Sequence, residues 1–504
     1  MNIHLSRDSL DHKHSLTQMR PSPKLLWGIG TVLVFFLSRL LYSAAGITFD
    51  SSPLYSSWGF LDPAQLQENL FSSIYFLHGQ PPLFNLFLGA ILKLAPQHMT
   101  LTFQTIYLSC GLVLTVTLYH VQVRIGLPPS LSALMTAAFI ANPATILYEN
   151  FLFYTYPVAT LLCLIALSTH LYIDRGRMRH GVVLFILVGA LVMTRSLFHG
   201  LFYFLVLLII VLLRKDLWRT TLIAAALPGT IVVLWYLKNL LLFGTLTSST
   251  WFGMNLAKIT TFSIPEPERS AMVARHELSP YALIPPFSSL GRYDIHQSDQ
   301  PETRAPVLSE DMKSTAHVNY NNTKYIEISK EYLKDAVYVI EHRPILYGRN
   351  VLYAVFVYCR PAGEYFLLEP NRSRIDVVEQ LAGRIACGEL QRKEITLDRG
   401  VQAGDVATQL LHTGLFVLFG IPAVAAFTYR RARSLACGTP DERANAATML
   451  FILFIVIYVC VVGNVAEIGE NNRFRFNIDP LLTVLVGILL HRLWVKFRPR
   501  KTQR

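Results

Sequence analysis

The sequence has few charged residues and few cysteines. Only 15% of its 504 residues are charged, against about 25% in an ordinary soluble domain. By contrast, 52% are hydrophobic and the mean hydropathy is +0.38. Six cysteines in a chain of this length are too few for a disulfide framework. These shortfalls exclude a disordered chain, a disulfide-rich secreted module and a typical soluble enzyme.

The sequence also lacks several motifs of metal-dependent and nucleotide-dependent enzymes. It contains no HExxH, no CxxC pair, no DxD and no glycine-rich phosphate loop. A nucleotide donor and a dedicated metal site are therefore not indicated. No cofactor is expected, although a carboxylate such as Asp50 or Asp62 could hold a divalent metal if one is used.

Long apolar runs define the class of protein. Runs that approach the roughly 20 residues needed to cross a bilayer begin at Leu25, Leu101, Leu131, Tyr156, Thr221, Gln409, Thr448 and Leu481. A further run from Gly181 is too long for one crossing and carries Arg195 and His199 at its middle, which predicts two helices with a turn near Arg195. The run from Pro81 is short and fits a re-entrant half-helix or a full crossing. The sequence predicts an all-α polytopic membrane protein with about ten transmembrane helices.

The formal net charge of +12 reports topology rather than a nucleic-acid partner. Lysine and arginine concentrate in the N-terminal tail, at Arg124, in DRGRMRH, in RKDLWR, in YRRARSLACGTPDER and at the chain end. Because such residues collect in cytoplasmic loops, both termini are expected in the cytoplasm. The pattern fits a bacterial inner membrane, or the endoplasmic reticulum membrane if the source is eukaryotic.

The predicted topology divides the chain into five parts. A cytoplasmic tail (1–24) precedes an N-terminal transmembrane bundle (25–242) that includes a first outer loop (47–80). An extracytoplasmic loop domain (243–407) is followed by C-terminal transmembrane helices (408–495) and a basic tail (496–504). Within the loop domain, segments from Lys330 and from Arg343 are predicted as amphipathic helices that could lie on the bilayer surface. Cys359 and Cys387, the only cysteines there, are either a disulfide or two unpaired thiols.

Several charged residues remain at or near the membrane segments, where charge is costly and usually marks a site. On the predicted topology nearly all of them lie at the outer ends of the helices. They are Arg39, Lys93, Arg195, Lys238, Arg473, Arg475, Asp50, Asp62, Glu68, Glu149, Glu467, Glu470 and Asp479. A ring of both signs on one face suits a charged, membrane-borne substrate.

Two outer segments carry a family resemblance. The loop FDSSPLYSSWGFLDPAQLQENLFSSIYFLHGQPPLFNLFLGAILKL and the later GENNRFRFNIDPLL resemble the C-type glycosyltransferases (GT-C) that use polyprenyl-phosphate sugars. That superfamily includes the protein O-mannosyltransferases and the lipid A aminoarabinose transferases. The resemblance implies transfer of a sugar from a polyprenyl-phosphate donor, with inversion, to a glycan, lipid or protein acceptor on the extracytoplasmic face. The motifs cover about residues 48–95 and 467–482.

The resemblance places the catalytic base early in the first outer loop, at Asp50. The family often has an adjacent Asp-Glu pair there, whereas Ser51 follows Asp50 in this chain. Asp62 is the second candidate, and general-base catalysis is a common role for such carboxylates. For Asp50 the alternative is a turn or helix-end aspartate. For Asp62 the alternative is a helix N-cap, because Pro63 follows at the first helical position.

Four basic residues are candidates for binding the donor phosphate. Arg195 offers fork-like recognition of phosphate oxygens, the alternative being a side chain that snorkels to water. Arg473 and Arg475 point to the same side if their segment is extended, the alternative being a salt bridge to a nearby glutamate. Lys238 lies where the chain leaves the membrane and is either a ligand or an interfacial anchor.

Six polar residues are candidates for binding substrate. His78 and Gln80 precede Pro81 in a rigid stretch that is either a binding turn or a structural one. His199 shares a face with Arg195 if the helix continues through both residues. The full set is His78, Gln80, Glu149, His199, Glu470 and Asn472.

A transporter or flippase of a lipid-linked or anionic substrate is the alternative function, since intramembrane charge is common there too. A transporter needs polar residues at mid-membrane and often an internal repeat, and neither is visible. A non-catalytic scaffold would not need the charges. Sequons at Asn321 and Asn371 would matter only in a secretory pathway.

Overall fold

The computed structural model describes residues 22–293, 305–390 and 410–498, and in those ranges it is built from helices with no β-strand. Seven of the helices described are long and apolar enough to cross a membrane. They are Pro23–Ala44, Pro96–Arg124, Thr155–Arg175, Lys215–Phe243, Leu415–Leu435, Pro440–Val465 and Asp479–Phe497. A pair bent by 60°, Pro129–Ile140 with Pro143–Glu149, would make an eighth. The all-α polytopic class is confirmed, and the predicted count of ten crossings is not.

Three shorter apolar helices complete the bundle: Pro82–Leu94, Met178–Thr194 and Gly200–Leu213. The predicted division of the run from Gly181 is confirmed, because the chain leaves one helix at Thr194 and enters the next at Gly200. The helix from Pro82 has 13 residues, about 20 Å at 1.5 Å per residue. That is shorter than the roughly 30 Å of bilayer hydrocarbon, so whether this segment crosses stays open.

Local sequence explains where several helices begin and end. The Thr439 hydroxyl accepts a hydrogen bond from the Glu442 backbone while the Glu442 carboxylate accepts one from the Thr439 backbone, which forms a capping box. The Asn142 side chain caps the helix that starts at Pro143. Gly176 and Gly244 end their helices at φ of 63° and 67°, a left-handed conformation that glycine adopts without strain.

Burial separates central from peripheral helices. In Thr155–Arg175 and Pro440–Val465, 72% and 67% of the most apolar stretch is buried inside the protein. The corresponding share is only 17% in Pro23–Ala44 and in Leu415–Leu435. Large apolar side chains on the peripheral helices are therefore exposed, as expected if lipid covers them.

The described residues 244–293 and 305–390 form mostly short helices that pack on one another, called the helical layer below. Its main helices are Phe252–Ile259, Glu266–Ala274, Lys324–His342, Pro344–Tyr358 and Asp376–Ala382. The helices predicted from Lys330 and from Arg343 lie within two of these.

The first and third of these helices pack in near backbone contact. A Cβ on Gly253 would lie 1.8 Å from the Ser329 carbonyl oxygen, so only glycine fits this position. Trp251, Tyr325 and Tyr332 form the adjoining aromatic core. The apolar face of Lys324–His342 is therefore buried against protein, and contact of this layer with a bilayer surface stays a prediction.

Parts of the predicted domain map lie outside the described residues, namely positions 1–21, 294–304, 391–409 and 499–504. The orientation of the termini stays a prediction for the same reason. Cys359 and Cys387 are both unpaired thiols, the second of the two alternatives left open by the sequence.

Candidate functional site

A polar cavity of 170 Å³ lies where several membrane helices end. Its walls come from the link between Met178–Thr194 and Gly200–Leu213, from residues 247–258, and from the chain that follows Pro440–Val465. Predicted site residues that it brings together are Gln80, Arg195, His199, Glu470 and Arg473. The helix expected to carry both Arg195 and His199 is broken between them, but both still line the cavity.

Arg195 is the most informative residue of the cavity. Its side chain is 3% exposed, and its guanidinium carbon lies 4.6 Å from the centre of the Phe474 ring and 5.3 Å from that of Tyr154. Across the described ranges no side chain or carbonyl hydrogen-bonds this guanidinium, and its Nη1 is buried without a partner. Because an unpaired buried charge is costly, the position calls for an anionic ligand.

Arg473 lies against the same aromatic rings. It forms an ion pair with Glu470, and its Nη1 donates to the Tyr154 hydroxyl at 3.3 Å. Its guanidinium carbon is 5.3 Å from the Phe474 ring that Arg195 also contacts. Two buried guanidiniums thus share this corner with one carboxylate, which leaves it cationic. The salt bridge to Glu470, one of the sequence alternatives, is confirmed.

Lys258 and Glu467 form a second ion pair in the cavity wall. The Lys258 Nζ lies 3.1 Å from the Glu467 Oε1. Burial raises the pKa of the Glu467 carboxyl, and the Lys258 ammonium opposes that rise. Sequence reasoning did not select Lys258, because its partner is 209 positions further along the chain and no local pattern joins the two.

Two half-buried tyrosines and a buried asparagine hold the cavity walls in place. The Tyr236 hydroxyl accepts from the Gly200 N–H at 2.7 Å, and the Tyr458 hydroxyl donates to the Leu197 carbonyl at 3.0 Å. On the opposite wall, Asn471 donates to the Glu467 carbonyl at 2.9 Å. Such bonds fix the backbone on both sides of Arg195 and Arg473.

Asn472 also acts on the backbone. Its Nδ2 donates to the Pro361 carbonyl at 3.1 Å, and its Oδ1 accepts from the Arg473 N–H at 2.9 Å. Both ends of the amide are therefore used in holding the chain. This predicted substrate ligand is not among the described residues that line the cavity.

The expectation that Arg473 and Arg475 point to the same side is wrong. Their segment is a short helix, and residues two apart on a helix diverge by about 200°. The Arg475 Nε donates to Asp479 Oδ1 at 3.0 Å, while its Nη1 donates to the carbonyls of Tyr358 and Arg360 at 2.9 and 2.7 Å. Arg475 lines a separate, mainly apolar cavity of 340 Å³.

Asp62 is occupied by structural hydrogen bonds. Its Oδ1 accepts from the Ala64 N–H at 3.0 Å and from the Ser314 hydroxyl at 2.6 Å, and its Oδ2 accepts from the Ser314 N–H at 2.7 Å. The N-cap alternative is confirmed. The carboxylate fastens the first loop to Ser314 of the helical layer and does not line the cavity described above.

Asp50 lies at a turn that is joined by its backbone to the segment ahead of Tyr154. Its Oδ1 accepts from the Ser52 N–H at 2.9 Å, and its backbone forms a bridge with Phe151, three residues before Tyr154. The turn alternative is therefore confirmed. Asp50 is not one of the described lining residues, and its role as a base stays a prediction.

His78 and Lys238 are both used to fix the chain ahead of Pro81. The fully buried His78 ring bonds the Thr250 hydroxyl and the Asn321 carbonyl, each at 2.8 Å. The Lys238 Nζ donates to the Leu77 carbonyl at 2.7 Å. The structural alternatives account for both side chains, and the cavity lining includes neither of them.

Glu149 belongs to a buried network inside the bundle. Its two oxygens accept from Arg39 at 2.8 and 2.6 Å, and the Tyr156 hydroxyl donates to it at 2.6 Å. With 1% exposure and its acceptors used, this carboxylate is structural. It lies away from the residues that line the cavity.

A metal centre is not apparent in the part of the chain that the structure describes. No group of three or more His, Cys, Asp or Glu side chains there has a metal-binding arrangement. Binding of a divalent metal by Asp50 or Asp62 therefore stays a prediction from the sequence.

No protein-family model matches the chain, and no curated protein matches it. Among solved structures, it is similar to the archaeal oligosaccharyltransferase AglB from Archaeoglobus fulgidus in complex with an inhibitory peptide and a dolichol-phosphate. The match covers 92% of this chain and 50% of that protein, at 13% sequence identity and a TM-score of 0.38. The chain thus spans half the length of that protein. At this level of likeness, function has to be argued from the cavity itself.

Proposed function

We propose that the protein is an integral-membrane glycosyltransferase, which moves a sugar from a polyprenyl-phosphate donor to an acceptor on the extracytoplasmic face with inversion. One observation carries the proposal: a buried arginine, Arg195, has no partner among the described residues and faces a polar cavity at the end of an apolar bundle. A phosphate on a lipid chain is an anion that can approach such a site from the membrane.

Arg195 and Arg473 would stabilise the leaving phosphate. As the bond between the sugar and the phosphate breaks, negative charge grows on the phosphate oxygens. Guanidiniums held in a water-poor site stabilise such charge strongly, because they need no reorganisation. Arg473 is already oriented by Glu470 and Tyr154, so Arg195 supplies the unneutralised charge.

The acceptor hydroxyl needs a base as it attacks the anomeric carbon. Asp50 is the base that the family resemblance suggests, and Glu467 is a carboxylate that lines the cavity. Burial raises the pKa of Glu467, which favours proton uptake. In either case the proton passes to the carboxylate, the new glycosidic bond forms, and polyprenyl phosphate departs.

The test is transfer of labelled sugar from a panel of polyprenyl-phosphate sugars to acceptors in a membrane extract, with the purified full-length protein in lipid. Arg195→Met should reduce transfer about 100-fold or more, since two charge-assisted hydrogen bonds are lost. Arg349→Met is the control, because Arg349 is exposed on the helix Pro344–Tyr358 and does not line the cavity. Asp50→Asn beside Glu467→Gln identifies the base.

Two results would count against the proposal. One is unchanged transfer in Arg195→Met. The other is movement of a lipid-linked sugar across the bilayer without any transfer, which would favour a transporter instead.

A further inference from the structure

One segment of the helical layer, residues 374–387, has the reverse of the usual polarity. Its helix Asp376–Ala382 continues directly into a π-helical turn, Gly383–Cys387. Glu379 on this helix is buried inside the protein. Three apolar side chains at every fourth position are exposed and are called the exposed row below: Val377 (80%), Leu381 (57%) and Ile385 (68%).

This arrangement is the opposite of the one that water favours. A helix on the surface of a soluble domain turns its apolar stripe toward the core and its charges toward solvent. Exposed apolar patches mark contact with another molecule or with a membrane. The reversed polarity therefore indicates that something apolar covers the outer side of the segment.

The start of the segment is joined to the end of a membrane helix. The Asn371 side chain accepts from the Thr48 N–H at 3.2 Å and donates to the Thr48 carbonyl at 2.7 Å. The Arg374 Nη1 donates to the Gly46 carbonyl. Thr48 and Gly46 lie just beyond the helix Pro23–Ala44, whose 22 residues are about as long as the bilayer hydrocarbon is thick. The segment thus begins at the level where this helix reaches the membrane boundary.

The end of the segment packs against a second peripheral helix, Leu415–Leu435. A Cβ on Gly388 would lie 2.8 Å from the Phe416 ring, so the backbone that follows the segment lies directly on that ring. Phe416 and Phe419 are themselves exposed, and their helix is as little buried as Pro23–Ala44. The exposed row therefore ends beside side chains that lipid is expected to cover.

The charges of the segment also suit a lipid surface. Arg374 and Arg384 are exposed, and interfacial helices combine an apolar row with basic side chains. The stem of an arginine can follow the acyl chains while its guanidinium stays at the level of the lipid phosphates. A symmetric contact with a second copy of the chain would instead bring the same arginines toward each other.

We propose that the segment 374–387 lies at the boundary between headgroups and acyl chains at this end of the bundle, so that its partner is the lipid bilayer. The exposed row inserts among the acyl chains, and the guanidiniums of Arg374 and Arg384 lie at the level of the phosphates. The sequence pattern did not select this segment for contact with the bilayer. The proposal does not depend on sugar transfer.

The test is photo-crosslinking of the full-length protein in nanodiscs of phosphatidylethanolamine and phosphatidylglycerol. Leu381→p-benzoylphenylalanine and, separately, Ile385→p-benzoylphenylalanine place a photoreactive ketone on the exposed row. On irradiation the ketone bonds to a nearby C–H group, and mass spectrometry of the digested protein identifies what was attached. Phe419→p-benzoylphenylalanine is the reference for a lipid-facing position. Leu283→p-benzoylphenylalanine is the matched control, because Leu283 is an exposed leucine of the helical layer outside the exposed row.

We expect both positions of the exposed row to gain the mass of a phospholipid, at a yield close to that of Phe419, and Leu283 to gain none. The proposal is overturned if neither Leu381 nor Ile385 takes up lipid. It is also overturned if these positions link mainly to protein, either to a second copy, seen as a covalent dimer, or to another part of the same chain. Equal uptake of lipid at Leu283 and Leu381 would overturn it too, since exposure alone would then explain the result.

Discussion

Replacing Arg195 by methionine should separate ligand binding from stability. The guanidinium is 3% exposed and has no hydrogen-bond partner among the described residues. Its guanidinium carbon lies over the rings of Phe474 and Tyr154. Methionine keeps the unbranched apolar part of the side chain, and it removes the guanidinium with its charge and its hydrogen-bond donors.

Arg195→Met should weaken ligand binding, but it should not lower the stability of the protein. Each hydrogen bond to a charged group contributes about 1.5–3 kcal/mol, so losing a bidentate contact with phosphate costs at least about 3 kcal/mol, or about 100-fold in affinity. In the ligand-free protein, an unpaired buried charge carries an uncompensated desolvation cost, so exchanging it for an apolar side chain should be neutral or stabilising. The Tm of Arg195→Met should therefore equal or exceed that of the wild type.

Arg475→Met is the matched comparison, since Arg475 is also buried but fully used. Its removal leaves the Asp479 carboxylate and the Tyr358 and Arg360 carbonyls without their donor. Breaking a buried pair in this way costs about 3–5 kcal/mol, so this variant should have a clearly lower Tm.

The assay is thermal unfolding of the full-length protein in detergent, measured beside binding of polyprenyl phosphate. The reasoning is refuted if Arg195→Met lowers the Tm as much as Arg475→Met does and leaves the lipid affinity unchanged. That result would mean that Arg195 is a structural residue.

Three further predictions follow from buried contacts. Glu149→Ala leaves Arg39 as an uncompensated buried charge and should lower the free energy of unfolding by about 3–5 kcal/mol. An unchanged Tm would contradict the conclusion that Glu149 neutralises Arg39. Gly253→Ala places a Cβ 1.8 Å from the Ser329 carbonyl oxygen and should destabilise the helical layer by about 1–3 kcal/mol. This should be seen as faster limited proteolysis of that layer, whereas a wild-type digestion pattern would argue against the close approach. The Asn321 amide is buried and hydrogen-bonded to the chain, so expression in a secretory host should give no glycosidase-sensitive mass shift at this sequon, and such a shift would contradict its burial.

Features that depend on neighbours in the chain could be predicted from the sequence. The membrane class follows from the length of the apolar runs, because each crossing must be apolar and must satisfy its own backbone hydrogen bonds. The break at Arg195 follows from a run too long for one crossing with a charge at its middle. The N-cap at Asp62 follows from the proline after it.

Features that depend on distant contacts could not be predicted. Lys258 meets Glu467 across 209 positions, and Arg39 meets Glu149 across 110. Each residue alone looks like a surface charge or a site residue, and only the fold shows which charges neutralise each other. For this reason the sequence pattern indicates a substrate ligand at Glu149 and gives no signal at Lys258.

The two arginines of ENNRFRF lie on different sides of one short helix and have different contacts. In an extended chain Arg473 and Arg475 would share a side, whereas the short helix that contains them turns one into the polar cavity and the other toward Asp479. The helix is set by Asn471, whose side chain closes the preceding turn through the Gly463 and Glu467 carbonyls. Arg475 fixes the same short helix to the scaffold on its other side, so a change that loosens Arg475 should also misplace Arg473.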